Sequence, residues 1–137
     1  MSMNHWYVYH SIAAMGCSYA DLGAPAAYST TSQPRLCFGD AIWIVEGSLN
    51  QPRRYALVDC FKYADTEYAP FGGLDPKFKM RFLGERSLLA SRIELSTDWS
   101  WFAELHKGFI TKQRFFECIT KNSGIVSGLC AASGIHP

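Results

Sequence analysis

The segment CFGDAIWIVEGSLNQPRRYALVDCFKY, Cys37–Tyr63, constrains the fold more than any other part of this chain. It reads as two strands, Ala41–Gly47 and Arg54–Tyr63, around SLNQPR, where Asn50 and Pro52 supply turn chemistry. Strand side chains alternate between faces. Ile42, Ile44, Val58 and Cys60 then form one apolar face, and Trp43, Leu57 and Phe61 a second, with the acid Asp59 between Leu57 and Phe61. A sheet that is apolar on both sides must curl into a barrel or be covered by helices.

The flanking segments extend this pattern. Asn4–Ile12 is aromatic and β-branched, with Trp6, Val8 and His10 on one face and Tyr7, Tyr9 and Ser11 on the other. Ala13–Arg35 is a long connection rich in Ala, Gly, Ser, Thr and Pro, with a short helix near Ser18–Leu22; connections this long are often functional. Lys77–Glu85 alternates Phe78, Met80 and Phe82 with Lys77, Lys79 and Arg81, and Arg92–Ser96 is a further short strand. Thr97 or Asp98 can cap a helix that runs to His106 and ends at Gly108. Thr111 can cap a second, over Lys112–Lys121, closed by Asn122–Gly124. Strands followed by helices indicate an α+β domain of about five strands and two or three helices, spanning residues 1–124. Residues 125–137 read as a Gly-rich tail or linker.

Composition narrows the function classes. A chain of 137 residues that is 48% hydrophobic is one domain with a real core. No apolar run approaches the roughly 18 residues of a membrane span, and the first residues lack a secretory pattern. The five cysteines show no C-x-x-C pair, so zinc or a disulfide framework is not expected and reduced thiols in the cytoplasm are. A net charge of +1 argues against a protein held to nucleic acid by bulk charge alone. That charge is uneven, −2 over residues 1–70 and +3 over residues 71–137, which favours the second half for any anionic partner.

No G-x-S-x-G, phosphate-loop or H-E-x-x-H pattern is present, no cofactor is implied, and no metal set emerges from His5, His106 and His136. His10 and Cys17 could act as base and nucleophile, but the spacing does not select them over an ordinary strand-end histidine. The aromatic residues Trp6, Tyr7, Tyr9, Tyr19, Tyr28 and Trp43 cluster near the first strands. They either fill a small core or surround a site for a planar ligand. Asp59 needs a partner if buried: Arg53, Arg54, a backbone amide, or the amino edge of a base. Lys77, Lys79 and Arg81 form a cationic stripe, suited to a solvated edge strand or to phosphates, which Lys112, Arg114 and Lys121 could extend.

Two stretches together resemble the PUA-like superfamily, which includes the EVE, YTH, ASCH and SRA-type domains. These are the aromatic opening strand HWYVYHS, His5–Ser11, and LCFGDAIWIVEG, Leu36–Gly47. In the second, Gly39 and Asp40 match the superfamily's Gly-Asp turn, and Ile42 and Ile44 its inward strand positions; the likeness covers roughly residues 4–63. It implies a small, strongly bent β-barrel that binds nucleic acid, with a modified base in an aromatic pocket near the first strands. It also implies fusion to, or pairing with, a nuclease domain in a modification-dependent restriction system. Position places Ser11, Tyr28, Ser29 and Trp43 near such a pocket, and the residue-level reading adds Trp6, Tyr19 and Asp59.

The expected function is therefore a non-catalytic reader of a modified base such as methylcytosine, in DNA in preference to RNA. Lys77, Lys79 and Arg81 are expected on phosphates. Two alternatives stand beside it. One is a small enzyme or small-molecule-binding domain with His10 and Asp59 as acid–base groups. The other is a protein-interaction module in which the aromatic residues are structural.

Overall fold

The computed structural model describes residues 3–23, 25–32, 34–111 and 115–137. It shows a mixed α+β protein with a seven-stranded sheet and three helices. The strands are β1 (His5–His10), β2 (Ala26–Ser29), β3 (Ala41–Gly47), β4 (Tyr55–Tyr68), β5 (Met80–Gly84), β6 (Ile93–Leu95) and β7 (Phe116–Cys118). The helices are α1 (Ile12–Met15), α2 (Ser100–Thr111) and α3 (Ser123–Ser133), and a 3-10 turn covers Tyr19–Leu22.

The sheet runs β2-β5-β4-β3-β1-β7, with β6 also paired to β4. β1 and β3 are parallel, with Trp6 opposite Ile42, and the other pairings are antiparallel. β4 pairs with β3 along its first half and with β5 along its second, and it carries irregularities opposite Ile44/Val45 and between Tyr63 and Asp65. Such bulges bend a strand and sharpen its twist. The sheet curls until Phe82 of β5 and Phe116 of β7 touch, with ring centroids 5.3 Å apart. Among the described residues no pairing joins β2 to β7, so the sheet is curled and not closed.

Each apolar face has a cover. Tyr7, Trp43, Val45, Leu57 and Cys60 pack under Phe102 and Leu105 of α2 and Ile125 and Leu129 of α3. Val8, Ile42, Ile44, Phe61, Met80 and Phe82 fill the hollow of the curl together with Tyr19. The first β4 bulge changes the face assignment expected from strict alternation. Leu57 pairs with Val45 and Asp59 with Ile44, which leaves Val58 as the extra residue. Leu57 therefore stays under the helices with Trp43, whereas Phe61 moves to the hollow and Cys60 takes its place.

Two further expectations are corrected. The described part of the helix expected over Lys112–Lys121 is an extended segment, in which Tyr9 N–H donates to Phe115 O (2.8 Å) and Ile119 N–H to His5 O (2.8 Å). Pairing with β1 satisfies this backbone better than a helical turn that would leave the β1 edge open. Residues 125–137, expected as a tail, contribute most of α3. The Asn122 side chain accepts from Ile125 N–H at 3.1 Å, and Gly134 ends the helix at φ 71°. Its small residues allow close docking: a Cβ at Gly128 would sit 2.2 Å from Trp101 Cδ2.

Candidate functional site

A cavity of about 620 Å3 opens beside β2 and β7, the two ends of the strand order. Its floor is apolar, with Val8 and Ile44 among its lining residues. Trp6, Tyr9, Tyr28, Phe78, Phe115 and Phe116 supply aromatic surface, and His10, Ser11, Ser29, Lys77 and Glu117 supply polar groups. A mostly apolar cleft of this size with a few polar groups is typical of small-molecule and cofactor sites.

The aromatic residues of the lining are held by one another and, for Trp6 and Tyr28, by polar partners. Trp6 packs edge-on against Phe116, with centroids 5.9 Å apart, and donates from Nε1 to Asp40 Oδ2 at 3.0 Å. Asp40, 2% exposed, also accepts the N–H groups of Asn4 (3.0 Å) and Cys37 (2.9 Å). Tyr28 packs edge-on against Phe71 and Phe78, and its hydroxyl accepts from Arg81 Nη1 at 3.1 Å. The Arg81 guanidinium lies 4.7 Å from the Phe71 ring and donates from Nε to Glu67 Oε1 at 2.8 Å. Tyr9 and Phe115 rings lie 5.5 Å apart on the β7 side.

The polar groups are largely engaged with the fold. Ser11 Oγ accepts from Ala14 N–H at 3.2 Å and caps α1. Ser29 Oγ donates to Thr31 O at 2.9 Å. His10 Nε2 lies 2.8 Å from Cys17 O. A carbonyl can only accept, so this nitrogen carries the proton. Glu46 Oε2, 3.9 Å from His10 Nε2, accepts from Tyr19 N–H at 2.7 Å.

The expected pocket residues divide. Trp6, Ser11, Tyr28 and Ser29 line the cavity. Trp43 does not: it is fully buried under the helices, with Nε1 donating to His5 Nδ1 at 3.0 Å. Tyr19 and Asp59 also lie outside the lining. The Tyr19 hydroxyl donates to Asp59 Oδ2, Ser87 Oγ donates to the same oxygen at 3.1 Å, and Cys60 N–H donates to Oδ1 at 2.8 Å. Asp59 is a partnered internal acid, and Tyr19 stands between it and His10, with His10 and Tyr19 centroids 5.7 Å apart. Among the described residues no hydrogen bond joins His10 directly to Asp59. Burial raises the Asp59 pKa against the lowering effect of its three hydrogen bonds, and burial followed by the Asp59 charge raises that of Tyr19.

The cationic stripe also divides. Lys77 lines the cavity and is exposed, as is Lys79, whereas Arg81 is committed to Glu67 and Tyr28. Lys112 and Arg114 lie outside the described residues. Phe78, Phe115 and Phe116 also line the cavity and were not among the expected pocket residues; their only local signal was aromatic content. Among the described residues no group of three or more His, Cys, Asp or Glu could hold a metal ion, and no helix is long and apolar enough to cross a membrane.

No family model matches the sequence, and no curated protein or solved structure matches it either.

Proposed function

We propose that this chain is a reader module of PUA-like type, an incompletely closed barrel that binds an extruded, modified base in the cavity beside β1, β2 and β7. The ligand class is DNA in preference to RNA, with methylcytosine as the first candidate base, and the module acts without catalysis. One observation carries the reading: a cavity of about 620 Å3 whose aromatic surface, Trp6 and Tyr28 above all, is braced by Asp40 and Arg81. Pre-positioned rings bind a planar ligand at low ordering cost. Val8 and Ile44 offer apolar surface for a methyl substituent, and Lys77 supplies a cation at the lining for a phosphate.

The energetics are workable. Extruding a base costs a few kcal/mol. Stacking returns about 1–3 kcal/mol per base in single-strand binders, and edge hydrogen bonds add to it. A cytoplasmic restriction system in which the module serves a nuclease partner suits five cysteines that are all free thiols.

The test is titration of labelled oligonucleotides carrying cytosine or its methylated form, in single and double strands, across a salt series. Tighter binding of the modified strand, reduced in Tyr28→Ala, supports the reading. Equal binding of both strands at every salt concentration sinks it.

A further inference from the structure

A second groove, of about 500 Å3, lies on another part of the surface. Phe38, Lys62, Tyr63, Arg86 and His136 are among its lining residues, and Glu85 is its one acid. Phe38 is 80% exposed, the most exposed large hydrophobic residue described. Its position is not that of a loose loop. Phe38 and Gly39 form the corner of a turn in which Asp40 N–H donates to Cys37 O at 2.9 Å, and Gly39 sits at φ 88°, the left-handed value such a turn demands at its third residue. Gly39 N–H donates to Tyr63 O (2.9 Å) and Tyr63 N–H to Asp40 O (2.8 Å), so the turn is strapped to β4 on both sides. The Asp40 carboxylate closes it internally through Cys37 N–H.

A rigid turn that holds a large aromatic ring in water gains nothing for the fold from that ring. Lys62 and Arg86 share the groove with it, both exposed and neither in an ion pair among the described residues. An exposed ring flanked by exposed cations suits a ligand with a flat apolar face and a negative charge. We propose that this groove is a second nucleotide-binding site, in which Phe38 stacks on a base and Lys62 and Arg86 contact the phosphodiester backbone of a single strand. It does not discriminate modified from unmodified bases, because one exposed face reads no base edge. It is joined to the cavity through Asp40, whose carboxylate holds both the Phe38 turn and the Trp6 wall. The inference extends the nucleic-acid reading to a second site but stands on its own residues.

The experiment uses the full chain and an unmodified oligothymidylate, with an abasic strand of equal length as control. Phe38→Ala is expected to weaken thymidylate binding about tenfold while leaving the abasic strand unaffected. Arg86→Glu is expected to weaken both strands and to reduce the salt slope by at least the roughly 0.7 expected for one lost single-strand phosphate contact. Phe38 and Arg86 are both solvent-exposed, and thermal melts are to check that the variants fold. The proposal is overturned by wild-type thymidylate affinity in Phe38→Ala and Arg86→Glu, or by absence of thymidylate binding to the wild type. Failure of the base-reading proposal looks different: modified and unmodified strands bind equally, while Phe38→Ala still weakens both.

Discussion

The indole of Trp6 is held by the carboxylate of Asp40, Nε1 to Oδ2 at 3.0 Å, from 34 residues further along the chain. The same carboxylate takes the N–H groups of Asn4 and Cys37. One buried acid therefore sets the start of β1, the turn before β3 and a wall of the cavity.

Asp40→Ala leaves three donors without their acceptor. At a penalty of about 1–3 kcal/mol for each buried unsatisfied group, partly relieved by water, a loss near 3 kcal/mol is expected. Urea unfolding should show a lower midpoint at unchanged slope. Asp40→Asn, whose one acceptor oxygen can keep the Trp6 and Cys37 donors that share Oδ2 and loses only Asn4 N–H, should fold better and keep the preference for a modified base.

Trp43→Ala should cost about 3–5 kcal/mol, as for other large core truncations. The ring is fully buried on the helix-covered face, away from the cavity. Binding by the folded fraction should be unchanged. Altered ligand affinity at saturating folded protein would show that the two faces communicate.

Asp59 makes stability depend on pH with a definite sign. Its folded pKa is raised above the ordinary 3.8, chiefly by burial. Its contribution is fully present below that ordinary value and is lost as pH rises through the folded value. Asp59→Asn removes the charge while keeping an acceptor for Tyr19. Unfolding free energy measured from about pH 4 to pH 7 should fall less steeply in the variant than in the wild type. Parallel curves would rule this out.

Arg81 and Lys77 should separate cleanly. Arg81 is already neutralised by Glu67 and orients Tyr28. Arg81→Ala should reduce the preference for a modified strand and leave the salt slope unchanged. Lys77→Ala should lower the slope by about 0.7–0.9, the value of one phosphate contact, and leave the preference intact.

The sequence by itself determined the local elements. Alternation, turn and capping chemistry located β1, the β3–β4 hairpin, β5, β6, the Tyr19–Leu22 turn and the start of α2, because those signals are carried by neighbouring residues; β4 runs on past Tyr63 to Tyr68 and α2 past Gly108 to Thr111. The need to cover both faces of the hairpin was equally legible; of the expected residues that line the cavity, Trp6 came from the residue pattern, whereas Ser11, Tyr28 and Ser29 were placed by the superfamily resemblance. Tertiary structure decided the rest. One extra residue at Val58 moved Phe61 to the other face, and alternation cannot count a bulge before the partner strand is known. Phe116–Cys118 is extended because β1 offers it an edge more than 100 residues away in the chain. The Asn-Ser-Gly that reads as a helix stop instead starts α3, since Ile125 and Leu129 find a core that only the folded sheet provides. The cavity is likewise made by contacts between distant segments, the edges of β2 and β7 and the braces Asp40 and Arg81, which no local period records.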